Sequence, residues 1–389
     1  MNSAGWSKQS KLILHSPQNE NELLHTYKEA LARASELYLV SAYLTEWNET
    51  FVLNRKCDRF RFIVGKDFGI TRKVACEAVL GWLPPRLKGS FLVADELKGF
   101  HPKAMFWKES DGRMYAVIGS SNLTNAAFAL NYEANVFCEL TADKFDDVKE
   151  WVSEIEDGCV PVSEDWLASY RETDWSKVTG KRKRTAKRPL AGAAFSFRLP
   201  RPEDATTIIS ERREQLHKFQ EKRSGLIRLF RQCANEKIDS VEFYKHLPRF
   251  WSYEVGDRLQ GKGFEIKGKH SDFAAVSRSI LRIMDTPPLE RDDVVRDEMD
   301  SLAEGKIPTR KAFLSEMLCL LFPDEYPVLN KPVRTYLSDI HFRAPRGASE
   351  GVRYVDIARK LRAALRQNAR HPAKSVAELD AVIWHTYGD

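Results

Sequence analysis

Hydrophobic positions follow two regimes along this chain. Up to residue 140, short apolar runs bounded by polar residues alternate with stretches of helical spacing. Residues 19–34 read as a helix that runs directly into 37–43, an apolar run that suits a buried strand. Residues 59–65 repeat the strand pattern, 71–82 read as a helix ended by Pro84 and Pro85, and 90–94 read as a third strand. Alternation of strand and helix predicts a layered α/β domain. Residues 104–107 and 114–118 flank the turn signal Ser110-Asp111-Gly112 and predict a hairpin, and 132–140 supply one more strand. From Glu203 onward the spacing is helical instead: 203–234, 310–321, 352–365 and 376–387 each carry apolar residues at helical intervals among many charges.

Between the two regimes lies a change of composition. Lys177, Lys181, Arg182, Lys183, Arg184, Lys187 and Arg188 follow one another with no acid among them, then comes Ala191-Gly192-Ala193-Ala194, and Pro200 and Pro202 close the stretch. This reads as a linker. The expected organisation is an α/β domain over residues 1–172, a mixed sheet flanked by helices; a basic linker over 173–200; and a mainly α-helical domain over 201–389 with a recognition or regulatory role. A length of 389 residues with 43% hydrophobic content accommodates two such cores. The net charge of +6 leans toward a polyanionic partner without naming one, and Lys181, Arg182, Lys183, Arg184, Lys187 and Arg188 are the candidate phosphate-backbone contacts, with a plain solvated linker as the alternative. Residues 1–16 lack the apolar core of a signal peptide, and no run approaches the roughly 18 to 20 apolar residues of a membrane span, so a soluble cytoplasmic protein without membrane partners is expected. The six cysteines are far apart, with no C-x-x-C pair, which predicts buried thiols and neither a zinc site nor a disulfide framework.

The candidate chemistry sits in Phe100-His101-Pro102-Lys103, followed after the hairpin by Gly119-Ser120-Ser121-Asn122-Leu123-Thr124 and then Asn131-Tyr132-Glu133. Residues two apart on a strand point the same way, so His101 and Lys103 can both reach one phosphate. The returning hairpin strand ends in small residues, which lets Asn122 project beside the histidine. Glu133 is placed to accept a hydrogen bond from one imidazole nitrogen and leave the other free to attack. Each piece alone has a plainer explanation: surface side chains for His101 and Lys103, a helix cap for the serines and Asn122, an exposed carboxylate for Glu133. Their order and separation make the joint pattern informative.

His101-Pro102-Lys103 with Gly119-Ser120-Ser121-Asn122 resembles the H-x-K and G-S-x-N parts of the phospholipase D superfamily signature, and Glu133 falls where an acid sits in its nuclease branch. The resemblance covers residues 37–140. Where many members carry an aspartate five positions after the lysine, this chain has Lys108, which fits the restriction-endonuclease-like branch better than the lipid-cleaving one. No second H-x-K with a following G-S-x-N occurs; His246, His270, His341, His371 and His385 lack the companions. The resemblance implies a homodimer in which each chain donates one motif. It further implies a metal-independent, cofactor-free displacement through a phosphohistidine. One His101 attacks phosphorus, the other protonates the leaving oxygen, and Lys103, Asn122 and Ser120 hold the non-bridging oxygens. The leading expectation is an endonuclease of restriction or anti-phage defence type acting on nucleic acid, DNA above RNA. The alternatives are a phospholipid phosphodiesterase or phosphatidyl transferase, and a DNA-binding or scaffold protein on a decayed site. In the helical half, residues 262–270 interleave basic groups with Phe264 and glycines, as a nucleic-acid loop does, although a solvated turn explains them as well. Residues 318–330 resemble a motif of helical modules in prokaryotic restriction and defence proteins; packing of Phe322, Tyr326 and Leu329 into a helix–helix corner accounts for the same residues.

Overall fold

The apolar runs become the centre of one sheet because every residue they contain can be buried on one face or the other. Strand β2 (Ala34–Ser41) is buried almost throughout, and it follows without a break from helix α1 (Glu22–Arg33), whose first turn is capped by the Asn21 side chain. The computed structural model describes residues 10–18, 21–173, 193–259, 268 and 270–388. The basic residues 177–188 therefore lie outside the described residues, as does most of the 262–270 segment. The chain divides into two units, Met1–Phe195 with Pro345–Gly347 and Ser196–Ala344 with Ala348–Asp389.

In the first unit, β1 (Ser10–His15), β2, β3 (Arg59–Val64), β4 (Phe91–Val93), β5 (Lys103–Glu109), β6 (Met114–Gly119), β7 (Glu133–Leu140) and β8 (Val160–Pro161) form an eight-stranded sheet in the order β1-β7-β6-β5-β2-β3-β4-β8. Strands β2, β3 and β4 pair in parallel and the remaining neighbours antiparallel, so the sheet is mixed. One face, carrying Tyr38, Val40, Ile63, Phe106, Ala116 and Cys138, packs on Phe145, Val152 and Ile155 of helix α4 (Ala142–Asp157). On the other face Phe60 and Phe62 meet Trp82 and Trp47, Trp82 ending helix α2 (Lys73–Trp82). Short helices α3 (Asn125–Ala129) and α5 (Glu164–Ser169) complete the layer. Strand β1 is not marked by the sequence pattern, because Leu12-Ile13-Leu14 is an unbroken apolar triplet in which Leu12 and Leu14 are exposed and only Ile13, with His15, is buried.

The second unit is helical: α6 (Ala205–Ala234), α7 (Ser240–His246), α8 (Phe273–Met284), α9 (Pro288–Glu304), α10 (Ala312–Leu321), α11 (Lys331–Asp339), α12 (Glu350–Gln367) and α13 (Val376–Tyr387). Its core gathers Phe219, Phe230, Phe243, Phe273, Phe313 and Met317. Tyr326 is fully buried, stacks on Tyr354 with ring centroids 6.0 Å apart and donates its hydroxyl to Asp292. That is the packing role allowed for it by sequence. All six cysteines are buried, and no disulfide joins any two of them. Among the described residues no helix is long and apolar enough to cross a membrane.

Candidate active site

The registers of the first unit place its motif residues in one row across a sheet end. Lys103 is level with Ser41, Ala104 with Ile118 and Gly119 with Asn135. Tyr43, His101 and Ser121 each lie within two residues of these last paired positions, and Glu133 opens β7 two residues before Asn135. Gly119 is needed here for close approach: a Cβ would stand 2.3 Å from the Ala134 carbonyl oxygen.

His101 lies two residues before β5 and not on it, a correction to the expected strand placement that follows from Pro102, which has no N–H for a ladder bond. The pair nevertheless converges: Lys103 Nζ and His101 Nε2 are 2.9 Å apart, with a second bond from Lys103 Nζ to the His101 carbonyl at 3.3 Å. The His101 imidazole is held below its ordinary value by partial desolvation and by the neighbouring ammonium. Desolvation likewise lowers Lys103, against an opposing pull from Glu133. With the ring neutral and Nε2 accepting from the ammonium, that lone pair is occupied in this state and becomes free to attack only when Lys103 turns away from it.

Glu133 does not bond to His101. Its carboxylate accepts from the Ser120 hydroxyl and from Asn131 Nδ2 at 3.0 Å, because the chain turns back at residues 120–132 and brings these two closer than the imidazole. Ser120 is correspondingly engaged: it donates to Glu133 and accepts from the Ala134 N–H at 3.0 Å, so its hydroxyl is not free for a phosphate in this state. Asn122 is held at the end of β2, since its neighbour Leu123 bridges Leu44 and donates its N–H to Ser41 Oγ at 3.1 Å. The Asn122 Oδ1 is enclosed and meets no hydrogen-bond partner among the described residues. Helix α3 is capped by Thr124, whose side chain accepts from the Ala127 N–H, and not by the serines or Asn122.

Three supporting residues escaped the sequence reading. Tyr43 packs edge-on against His101 at 5.7 Å. Asn135 clamps Ser121 through its Nδ2 at 2.8 Å, a role that its place two residues beyond Glu133 on the same strand face hints at. Asp67, buried, accepts from the Gly99 N–H at 2.7 Å and so orders the turn into Phe100-His101. No local pattern marks it. Alongside Lys103 a groove of about 690 Å³ opens, lined by Pro102, Phe106, Ile118, Leu140, Val148 and Trp151 among others. No group of three or more His, Cys, Asp or Glu side chains among the described residues is placed to hold a metal ion.

No protein-family model matches the chain, and no curated protein matches it. Among solved structures, NucT from Helicobacter pylori is similar at 15% identity, covering 39% of this chain and 98% of that one, with a TM-score of 0.30.

Proposed function

We propose that this chain is a metal-independent phosphodiesterase, an endonuclease of restriction or anti-phage defence type whose nucleophile is His101. The observation that carries the reading is the 2.9 Å approach of Lys103 Nζ to His101 Nε2 at an open sheet end, with both groups shifted toward their uncharged forms. The lone pair of His101 Nε2 forms a P–N bond as the P–O bond to the leaving group breaks, and Lys103 turns its ammonium to the non-bridging oxygens, where charge grows in the transition state. A second imidazole must protonate the leaving oxygen and later take the proton of the water that breaks the P–N bond. The His101 of a second copy fills that role in a homodimer. Leu12, Val136 and Ile118 support such a pairing, because they stand level with one another across β1, β7 and β6 and leave an exposed apolar patch at the sheet edge. The basic run at Lys181, Arg182, Lys183, Arg184, Lys187 and Arg188 is proposed to hold the DNA backbone.

Cleavage of plasmid DNA, single-stranded DNA, RNA and phosphatidylcholine vesicles, with and without EDTA, tests the reading. Nucleic-acid hydrolysis that survives chelation is the expected result, and loss that Mg²⁺ or Mn²⁺ restores overturns it. Mixing wild type with His101→Ala subunits should inactivate every heterodimer; activity falling only in proportion to the wild-type fraction sinks the shared site. The apolar groove beside Lys103 favours a second reading, a phospholipid phosphodiesterase with an acyl chain in the groove. Hydrolysis of the vesicles but not of nucleic acid would select it.

A further inference from the structure

One more side chain belongs to the row across the sheet end. In the β1–β7 ladder His15 stands directly opposite Glu133, so the two side chains share a face with their Cβ atoms about 5 Å apart. His15 is 95% buried, being 5% exposed, and neither of its ring nitrogens meets a hydrogen-bond partner among the described residues. An imidazole carries a proton on at least one nitrogen in every state. An enclosed N–H donor without an acceptor therefore faces a carboxylate across the ladder. The groups around that carboxylate are Ser120 after β6, Asn131 before β7, Tyr27 on α1 and Lys103 on β5, the last two through its charge.

The Ser120 hydroxyl has a single proton. It goes to Glu133 here, and it can go to a phosphate oxygen only by leaving Glu133. Without a replacement, the vacated carboxylate oxygen would face the incoming anion bare. We propose that His15 is a positioning residue of this site: its ring N–H takes the Glu133 oxygen that Ser120 vacates when Ser120 turns to a bound phosphate. The inference rests on reading the site as one that handles phosphates. It gives Glu133 an acceptor role in both states, with Ser120 as the donor in the empty site and His15 in the occupied one.

The test uses the full chain, bis(4-nitrophenyl) phosphate for turnover and inorganic phosphate for binding. His15→Ala should lower kcat about 10- to 100-fold with KM little changed, as loss of an outer partner of a site does, and His15→Gln, which keeps an N–H donor, should recover most of it. In a Ser120→Ala background, His15→Ala should cost less than about twofold more, because no hydroxyl remains to be released. Additive losses, or equal losses in the Ala and Gln variants with matching melting curves, overturn the proposal. Ring 15N spectra supply a readout independent of turnover: added phosphate should move the His15 signal in wild type and leave it unmoved in Ser120→Ala. If phosphate moves that signal while no phosphodiester is cleaved, the nuclease reading fails and the role of His15 stands. If the chain cleaves phosphodiesters while His15 neither moves nor matters, the inference fails and the nuclease reading stands. Absence of both phosphate binding and cleavage overturns both.

Discussion

The Asp292 cluster of the helical unit and the sheet end of the first unit treat their charged groups in opposite ways. In the helical unit Asp292 is closed in by the Tyr326 hydroxyl, the Arg359 Nε and the Arg362 Nη2, at 2.8, 2.7 and 2.8 Å. Burial pushes its carboxyl up, and the Arg362 and Arg359 guanidinium groups overcome that and hold it well below the usual carboxylate range. Arg212 and Asp380 form a second enclosed pair at 3.1 Å, with the Val328 N–H on the other Asp380 oxygen. At the sheet end of the first unit, two groups of the same sign are set against each other instead: Lys103 and His101 are each drawn toward the neutral form. Matched charges fix helices in place, whereas competing ones leave a proton and a lone pair available, which is the usual signature of chemistry.

The strongest way to break this contrast is to unmatch a pair in the helical unit. Asp380→Ala leaves the Arg212 guanidinium buried without its carboxylate, and removing one partner of such a pair costs about 3–5 kcal/mol. A urea midpoint within error of wild type would show that the pair is structurally idle. Turnover per folded molecule should be unchanged, since neither residue belongs to the unit that carries His101.

Lys103→Met attacks the other side of the contrast. Lys103 is half-buried and belongs to no matched buried pair, so stability should shift by less than about 1 kcal/mol, while kcat falls about 10²- to 10³-fold, the loss expected for one donor to developing charge. The pH profile of kcat/KM sharpens it. The nucleophile must be neutral, and His101 is held below its ordinary value of 6.5, so the acidic limb should lie below that pH. The imidazole of the second copy must carry a proton to act as general acid, so the alkaline limb reports that group and should persist in Lys103→Met, while the acidic limb should move up once the Lys103 charge no longer lowers His101. An acidic limb above 6.5 contradicts the stated environment of His101.

How much of this was legible in sequence follows from how far apart the interacting residues are. His101 and Lys103 meet because they are two positions apart, and the buried strands announce themselves as unbroken apolar runs. Glu133 could be picked out by its spacing, yet its partners could not, since the turn through Asn131 decides that Ser120 reaches the carboxylate first. His15 lies on an edge strand whose exposed Leu12 and Leu14 blur the alternation, and it reaches Glu133 only through a register between distant segments. Helices α8 and α9 have sequence patterns as helical as those that were recognised. In the helical unit the pairing of Arg212 with Asp380 spans most of the unit and follows no period, so nothing local marks it.

Asp257 tests whether the helical unit tolerates one unmatched charge, and it is the smallest effect foreseen. Its carboxyl is fully buried; one oxygen accepts from the Ser252 N–H at 3.0 Å and the other has no partner among the described residues. Burial pushes its pKa up to about 6, with hydrogen bonds from the Ser252 and Asp257 backbone and the charge of Lys222 opposing that only in part. The folded state therefore binds the proton more tightly than the unfolded chain does. The stability this confers is complete below the unfolded value, near 3.8, and is lost as pH rises through about 6. Above neutrality the ionised group costs on the order of 2–3 kcal/mol. Asp257→Asn keeps an oxygen for Ser252 and removes the charge, so it should stabilise the unit by that amount near pH 8 and by a few tenths of a kcal/mol near pH 4. Urea melts at the two pH values decide the matter: an equal gain at both would mean that packing, not an uncompensated charge, separates the two side chains.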